Sequence, residues 1–266
     1  MIFLEKLLII PTYNERENVA AILAAVFSLE QDFHVLIIDD GSPDGTAGIV
    51  KNLIPQYPEM LFLVEREGKL GLGTAYIFGF RWALDKGYRF IFEMDCDFSH
   101  DPRDLNKLFA ACKTGGADVA VGSRYVRGGH VKNWPLLRVG ISKGASFYTR
   151  MITFMPVKDP TAGFVCYRRE VLEVINLEQI SFVGYAFQIE MKFAAWKLGF
   201  KIKEVPITFV DRKFGVSKMN KGIVKEGIFG VLRLKWMSMF KNYRSRVKNI
   251  ADVPTYQNTN VIMENK

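Results

Sequence analysis

Asp95 and Asp97 stand one residue apart just beyond the apolar run Tyr88–Phe92, and no residues in this chain are better suited to chemistry. Two carboxylates placed where a buried strand ends can hold a hard divalent cation through oxygen and leave its open positions to a diphosphate. The plainer alternative is that both are turn residues, because Asp is common where strands end. Their neighbours bear on the choice. Leu7–Ile10 leads into Pro11, Thr12, Tyr13, Asn14 and Glu15, and Phe33–Ile38 leads into Asp39, Asp40, Gly41, Ser42, Pro43, Asp44, Gly45 and Thr46. Val119–Gly122 runs into Ser123, Arg124 and Tyr125, which adds a cation to the set.

These runs are short, continuously apolar and rich in β-branched residues, and helical patterns separate them. That combination predicts an α/β fold, with a parallel sheet covered on both faces. The carboxyl ends of its strands share one edge, so the polar motifs converge on one cleft. Asn14 is expected to cap the first helix, with Glu17 at the capping-box position and Val19, Ile22, Leu23, Val26 and Phe27 as the buried stripe. Asp101 and Pro102 open another helix, whose stripe is Leu105, Leu108 and Phe109.

A chain of 266 residues, 49% hydrophobic, suits one domain with a C-terminal appendage. Cys96, Cys112 and Cys166 lack metal-ligand spacing and leave an odd thiol, so they read as core residues in a reducing cytosol. Met1–Ile10 carries Glu5 and Lys6 and reads as a first strand, not a signal peptide. The net charge of +8 is concentrated from Arg124 to Arg150 and from Lys192 to Lys248. No nucleic-acid recognition motif accompanies it, which leaves phosphate substrates or an anionic membrane surface as partners. Ile223–Phe240 is interrupted by Lys225, Glu226, Arg233 and Lys235, too often for a membrane span. It reads either as an interfacial helix, with Phe229, Trp236 and Phe240 toward lipid, or as a helix packed on the domain.

Taken in order, Pro11–Glu15, Asp39–Thr46, Asp95–His100 and Gly122–Val126 resemble glycosyltransferase family 2, and within it the dolichol-phosphate (polyprenol-phosphate) mannose synthases. Asn133–Trp134–Pro135, Arg138, Ser142–Ala145, Asp159–Phe164 and Asp211–Lys218 extend the likeness, which covers roughly Leu7 to Lys218. The resemblance implies a GT-A type fold, a single mixed and mainly parallel sheet between helices. It would make residues 1–221 the catalytic domain; beyond it, the residue pattern reads as an amphipathic helical appendage over 222–250 and a flexible tail over 251–266.

The resemblance also assigns roles. Pro11, Tyr13 and Glu15 would surround base and ribose, with Asp39 and Asp40 beside them. Lys69, in a glycine-rich loop, would lie near the phosphates, unless that loop serves flexibility alone. Asp95, Asp97 and, less directly, Ser99 would hold Mg or Mn, while His100 packs. Arg212 and Lys218 would come from a loop that closes over the donor. Arg124, Arg138 and Ser142 would hold the acceptor phosphate, guanidinium forks being suited to phosphate oxygens. The expected reaction is inverting transfer of mannose from GDP-mannose to a dolichyl or polyprenyl phosphate at the cytoplasmic face of the membrane. Such an acceptor is already an anion and needs no general base, so Gln188–Ile189–Glu190 is structural or sugar-binding.

Transfer of glucose or another sugar from a UDP donor is the alternative within this chemistry. An idle, membrane-recruited relative is a different class, disfavoured because Asp95, Asp97, Arg124 and Arg212 are all present. A polysaccharide synthase would bring long membrane spans and a Gln-x-x-Arg-Trp signature, neither of which is seen.

Overall fold

The computed structural model describes residues 4–184, 186–212, 221–244 and 260–262. The first half alternates strand and helix: β1 Leu4–Thr12, α1 Val19–Phe27, β2 His34–Asp39, α2 Thr46–Leu53, β3 Leu61–Glu65, α3 Leu72–Lys86, β4 Tyr88–Glu93, α4 Leu105–Lys113 and β5 Val119–Ser123. The second half is less regular. It comprises β6 His130–Lys132, α5 Leu136–Thr153, β7 Val165–Arg168, α6 Arg169–Val174, α7 Ala186–Lys197, β8 Ile202–Pro206, β9 Thr208–Val210, α8 Lys221–Met237 and β10 Asn260–Ile262.

Eight strands form one sheet in the order β10, β3, β2, β1, β4, β7, β5, β8. β1 pairs in parallel with β2 and β4, β2 with β3, and β5 with β8, whereas β7 runs antiparallel between β4 and β5. The sheet is thus mixed and mainly parallel, as the sequence implied. β10 lies in the segment expected to be a loose tail and pairs antiparallel with β3 at the sheet edge.

Why these runs are strands is visible in how they are buried. Leu7 and Ile9 belong to one buried cluster and Leu8 and Ile10 to the other, so alternate side chains of β1 feed two cores. Each such side chain stabilises the fold by about 1.5–3 kcal/mol. Strand β4 does the same, with Ile91 on one face and Phe90 and Phe92 on the other.

The helix opened by Asp101 is as expected: its carboxylate accepts the N–H of Arg103, and Leu105, Leu108 and Phe109 are buried. The first helix is not. Asn14 adopts a left-handed φ of 57° and α1 starts only at Val19. The backbone N–H groups of Asn14, Glu15 and Arg16 are taken by Ser42 Oγ, Thr46 Oγ1 and Asp44 Oδ2 from the loop after β2. Donors satisfied by a neighbouring loop need no capping box, so Asn14 and Glu17 do not form one.

The order of strands reverses between β1 and β4, and a ligand crevice opens at such a switch point, outside the carboxyl ends of the strands. This puts Pro11–Tyr13 beside Asp95–Asp97. Val231, Leu234 and Tyr243 of the C-terminal segment join the buried cluster of α3, α6 and α7.

Candidate active site

The floor of the cleft is a fully buried polar group. Glu93, at the end of β4, accepts a hydrogen bond from Gln188 Nε2 at 2.6 Å, and Lys192 Nζ donates to Ala162 O and to both oxygens of Gln188. Burial pushes the Glu93 carboxyl up to about 8 and the Lys192 ammonium down to about 8. Through Ala162, Lys192 fixes the loop before β7 whose Gly163 lies against the Asp95 carboxylate.

Asp95 is half-buried above this floor and Asp97 is buried. Asp97 Oδ1 accepts the N–H of Ser99, and Asp97 Oδ2 faces Arg212 Nη2 at 3.3 Å. Ser99 Oγ is buried and has no hydrogen-bond partner among the described residues. Two carboxylates and an unsatisfied hydroxyl form a hard-oxygen donor set, the kind that suits Mg or Mn. Among the described residues no group of three or more His, Cys, Asp or Glu side chains could hold an ion. His100 stacks on Phe164 and meets Phe209 edge-on, and burial lowers its pKa to about 4. It is a neutral packing ring, as expected.

A small second sheet positions the cations. β6 and β9 pair in parallel, and Val210 N–H donates to Ser99 O while Asp211 N–H donates to Lys132 O. These bonds set Asp211 and Arg212 over the carboxylates. Arg138 Nη1 contacts both carboxylate oxygens of Asp211 at 3.0 Å, and its guanidinium lies 4.0 Å from the centre of the Trp134 ring. One series of charges therefore runs from Arg138 through Asp211 and Arg212 to Asp97. Lys218 lies outside the described residues.

Arg124 is placed differently from the expectation of a phosphate fork open to the cleft. Its Nε and Nη2 bind Asp159 at 2.7 and 2.6 Å, and Nη2 also reaches Thr161. Asp159 additionally accepts the Arg124 backbone N–H. Ser142 sits on α5 and accepts a hydrogen bond from Tyr125 OH at 2.7 Å.

On the nucleotide side, Pro11, Tyr13 and Glu15 are half-buried along the cleft edge, and Lys69 Nζ lies 4.7 Å from the centre of the Tyr13 ring. Glu15 Oε2 accepts from Asn18. Asp39 is buried, and its oxygens accept from Thr12 Oγ1, Ser42 N–H and Ser42 Oγ. Asp40 forms a buried ion pair with Arg66, although burial still raises its pKa. Arg66, Asp159 and Asp211 had no role in the sequence reading. Each partners a site residue far away in the chain, and only Asp159 and Asp211 sat inside recognised motifs that could have flagged them. Glu190 accepts the N–H groups of Ser181 and Phe182 and pairs with Lys241, so it is structural.

A mixed sheet whose strand order reverses between β1 and β4, with two carboxylates at the end of β4 and arginines opposite, defines a glycosyltransferase of GT-A architecture. Solved structures share it: mannosyl-3-phosphoglycerate synthase from Rubrobacter xylanophilus aligns over 97% of this chain and 86% of its own, with a TM-score of 0.60 and 16% identity. A mannosyltransferase from Pyrobaculum calidifontis, solved with GDP-Man and Mn2+, aligns over 89% of this chain and 64% of its own, with a TM-score of 0.56 and 17% identity.

The chain belongs to glycosyltransferase family 2, whose model matches residues 7–175. It is 47% identical over 225 residues to the polyprenol monophosphomannose synthase of Mycolicibacterium smegmatis, covering 85% of this chain and 84% of that one. It is 42% identical over 241 residues to the undecaprenyl-phosphate mannosyltransferase of Micrococcus luteus, covering 91% and 98%.

Proposed function

We propose that this chain transfers mannose from GDP-mannose to a polyprenyl phosphate, with inversion at the anomeric carbon. The observation that carries the reading is the charge series Arg138, Asp211, Arg212, Asp97. It ties a cation suited to an acceptor phosphate to a carboxylate suited to the donor side. The names of the two family relatives agree with it.

In this reading Pro11, Tyr13 and Glu15 embrace base and ribose, Tyr13 with its ring face and Glu15 as an acceptor of hydrogen bonds. Asp39 and Asp40 shape that wall from within, and Lys69 approaches the phosphates beside Tyr13. Asp95 and Asp97, with Ser99, would hold Mg or Mn, which when bound supplies positive charge to the leaving diphosphate. Arg212 and Lys218 share that charge. Arg138, Ser142 and Arg124 hold the acceptor phosphate, Arg124 chiefly by keeping its wall in place through Asp159. A phosphate monoester carries roughly −1.5 to −2 charge near neutrality, so its oxygen attacks without a base. Orientation between the arginines supplies most of the advantage. A donor panel of GDP-mannose, UDP-glucose and UDP-N-acetylglucosamine against a polyprenyl phosphate tests the reading. Transfer from a UDP donor alone would overturn it.

Arg138→Ala is expected to raise the KM for the lipid phosphate roughly thirtyfold, because a lost charge-assisted fork costs about 2 kcal/mol. The KM for GDP-mannose should change little. The reverse pattern in steady-state kinetics would place Arg138 on the donor side.

We further propose peripheral contact with the cytoplasmic face of a membrane through residues 222–250 and α5. Among the described residues no helix is long and apolar enough to cross one. Helix α8 buries Val231 and Leu234 yet leaves Phe229 and Trp236 at 69 and 62% exposure, and Phe240, in the turn just past its end, is 78% exposed. Both sequence readings of this segment thus have a face of α8 in their support. Replacing these three aromatics with Ser should weaken binding to anionic vesicles more than tenfold in a sedimentation assay while GDP binding persists. Binding by the parent should weaken with added salt. Undiminished vesicle binding by the variant would remove α8 from the interface.

A further inference from the structure

Glu190, on α7, is a buried carboxylate that the transfer chemistry does not use. Both of its oxygens are taken: Oε2 accepts the backbone N–H groups of Ser181 and Phe182 at 2.7 and 3.0 Å, and Oε1 accepts Lys241 Nζ at 2.7 Å. Lys241 comes from the segment after α8, its side chain is only 8% exposed, and it also donates to Ser181 Oγ. A carboxylate shut away from solvent needs such partners, and an ammonium that reaches it from another segment ties the two segments together.

The strap held in this way, residues 181–184, lies against the loop that leads into α3. Gly73 N–H donates to Val183 O at 2.8 Å. A Cβ at Gly73 would come within 2.7 Å of Phe182 O, and one at Gly71 within 3.2 Å of Val183 O. Both glycines are thus required by the close approach of the strap. From its other side α8 covers the strap: the Arg233 guanidinium lies 5.9 Å from the centre of the Phe182 ring, and a Cβ at Gly230 would meet that ring at 3.4 Å.

The loop so supported reaches the nucleotide side. Gly71 O accepts from Thr74 Oγ1 and Arg66 Nη2, and Arg66 forms the buried pair with Asp40. Lys69 stands in the same loop, over the Tyr13 ring. We propose that Lys241 is a positioning residue for donor binding: through Glu190 and the strap it fixes the turn at 71–73, and with it Lys69 and Arg66. The segment after α8 thereby belongs to the framework of the donor site as well as to the membrane-facing appendage. This role rests on the nucleotide site proposed beside Tyr13, whichever base or sugar the donor carries.

Calorimetric titration with GDP, repeated with UDP, tests this alongside steady-state kinetics. Lys241→Met should weaken nucleotide binding about tenfold and raise the donor KM to match, with the KM for the lipid phosphate unchanged. Lys241→Arg keeps a cation within reach of Glu190 and should recover most of the affinity. Equal nucleotide affinity in Lys241→Met and the parent, or an acceptor KM that rises as much as the donor KM, would overturn the proposal. A second measurement needs no variant: in the parent, bound nucleotide should slow amide hydrogen exchange at Gly73, Ser181 and Phe182 by about threefold or more, because coupling between two parts of a chain is reciprocal. Unchanged exchange at these amides would overturn it as well. The same pattern with UDP alone would overturn the guanine assignment and uphold the role of Lys241, whereas binding of neither nucleotide would overturn the site on which that role rests.

Discussion

Asp97→Asn is expected to lower kcat by roughly a hundred- to a thousandfold, the scale on which removal of one well-placed stabilising group slows a transfer reaction. The substitution keeps the side-chain volume, and the amide oxygen can still accept the Ser99 N–H, so the loop should hold its shape. What disappears is the charge opposite Arg212 and the charge available to a divalent ion. Asp95→Asn should behave similarly, since its half-buried carboxylate makes no demand on core packing. Turnover of GDP-mannose in the presence of a polyprenyl phosphate, measured across a Mn2+ titration, reads the effect. A thermal melt confirms that the variants fold. Turnover equal to the parent, or undiminished in excess chelator, would remove the ion and Asp97 from the reaction.

Asp159→Asn should be the most destabilising single substitution at the site. Asp159 is fully buried and takes a forked pair of bonds from the equally enclosed Arg124, and removing one partner strands the other charge without solvent. Loss of one member of a buried pair typically costs about 3–5 kcal/mol. Urea denaturation should therefore show a lower midpoint with an unchanged slope, and acceptor KM should rise because the wall behind Ser142 loosens. The Arg103–Asp101 pair is an internal control: it is exposed, and Arg103→Gln should leave the midpoint where it is. An Asp159→Asn protein as stable as the parent would mean that Arg124 is solvated in solution.

Much of the fold was legible because its signals are local. Apolar runs of four to six residues, each ended by a polar motif, gave β1, β2, β4 and β5 and the edge on which they meet. Strand β3, helix α3 and the antiparallel β7 carried weaker patterns and were not read. The cleft itself was legible as a place, because parallel strands can end only on one edge. Its charges were less so. Arg124 and Asp159 lie 35 residues apart in the chain, and Arg138 and Asp211 lie 73 apart. Nothing in either sequence neighbourhood says which pairs form.

By itself the sequence determined strands β1, β2, β4 and β5, the helix opened by Asp101, the carboxylate pair at the end of β4 and the basic character of the acceptor half. These follow from periodicity, burial preference and residue type, which act over a few neighbours. Only the tertiary structure decided that Asn14 turns left-handed because the β2 loop takes its N–H, that Glu190 pins a loop, and that Arg124 faces Asp159. It also decided that Arg212 stands over Asp97, through the bond from Val210 N–H to Ser99 O that sets β9 beside the carboxylates. A buried donor or charge is satisfied by whichever partner the packed chain brings within reach, and that reach is a property of the sheet and its loops, not of the local sequence.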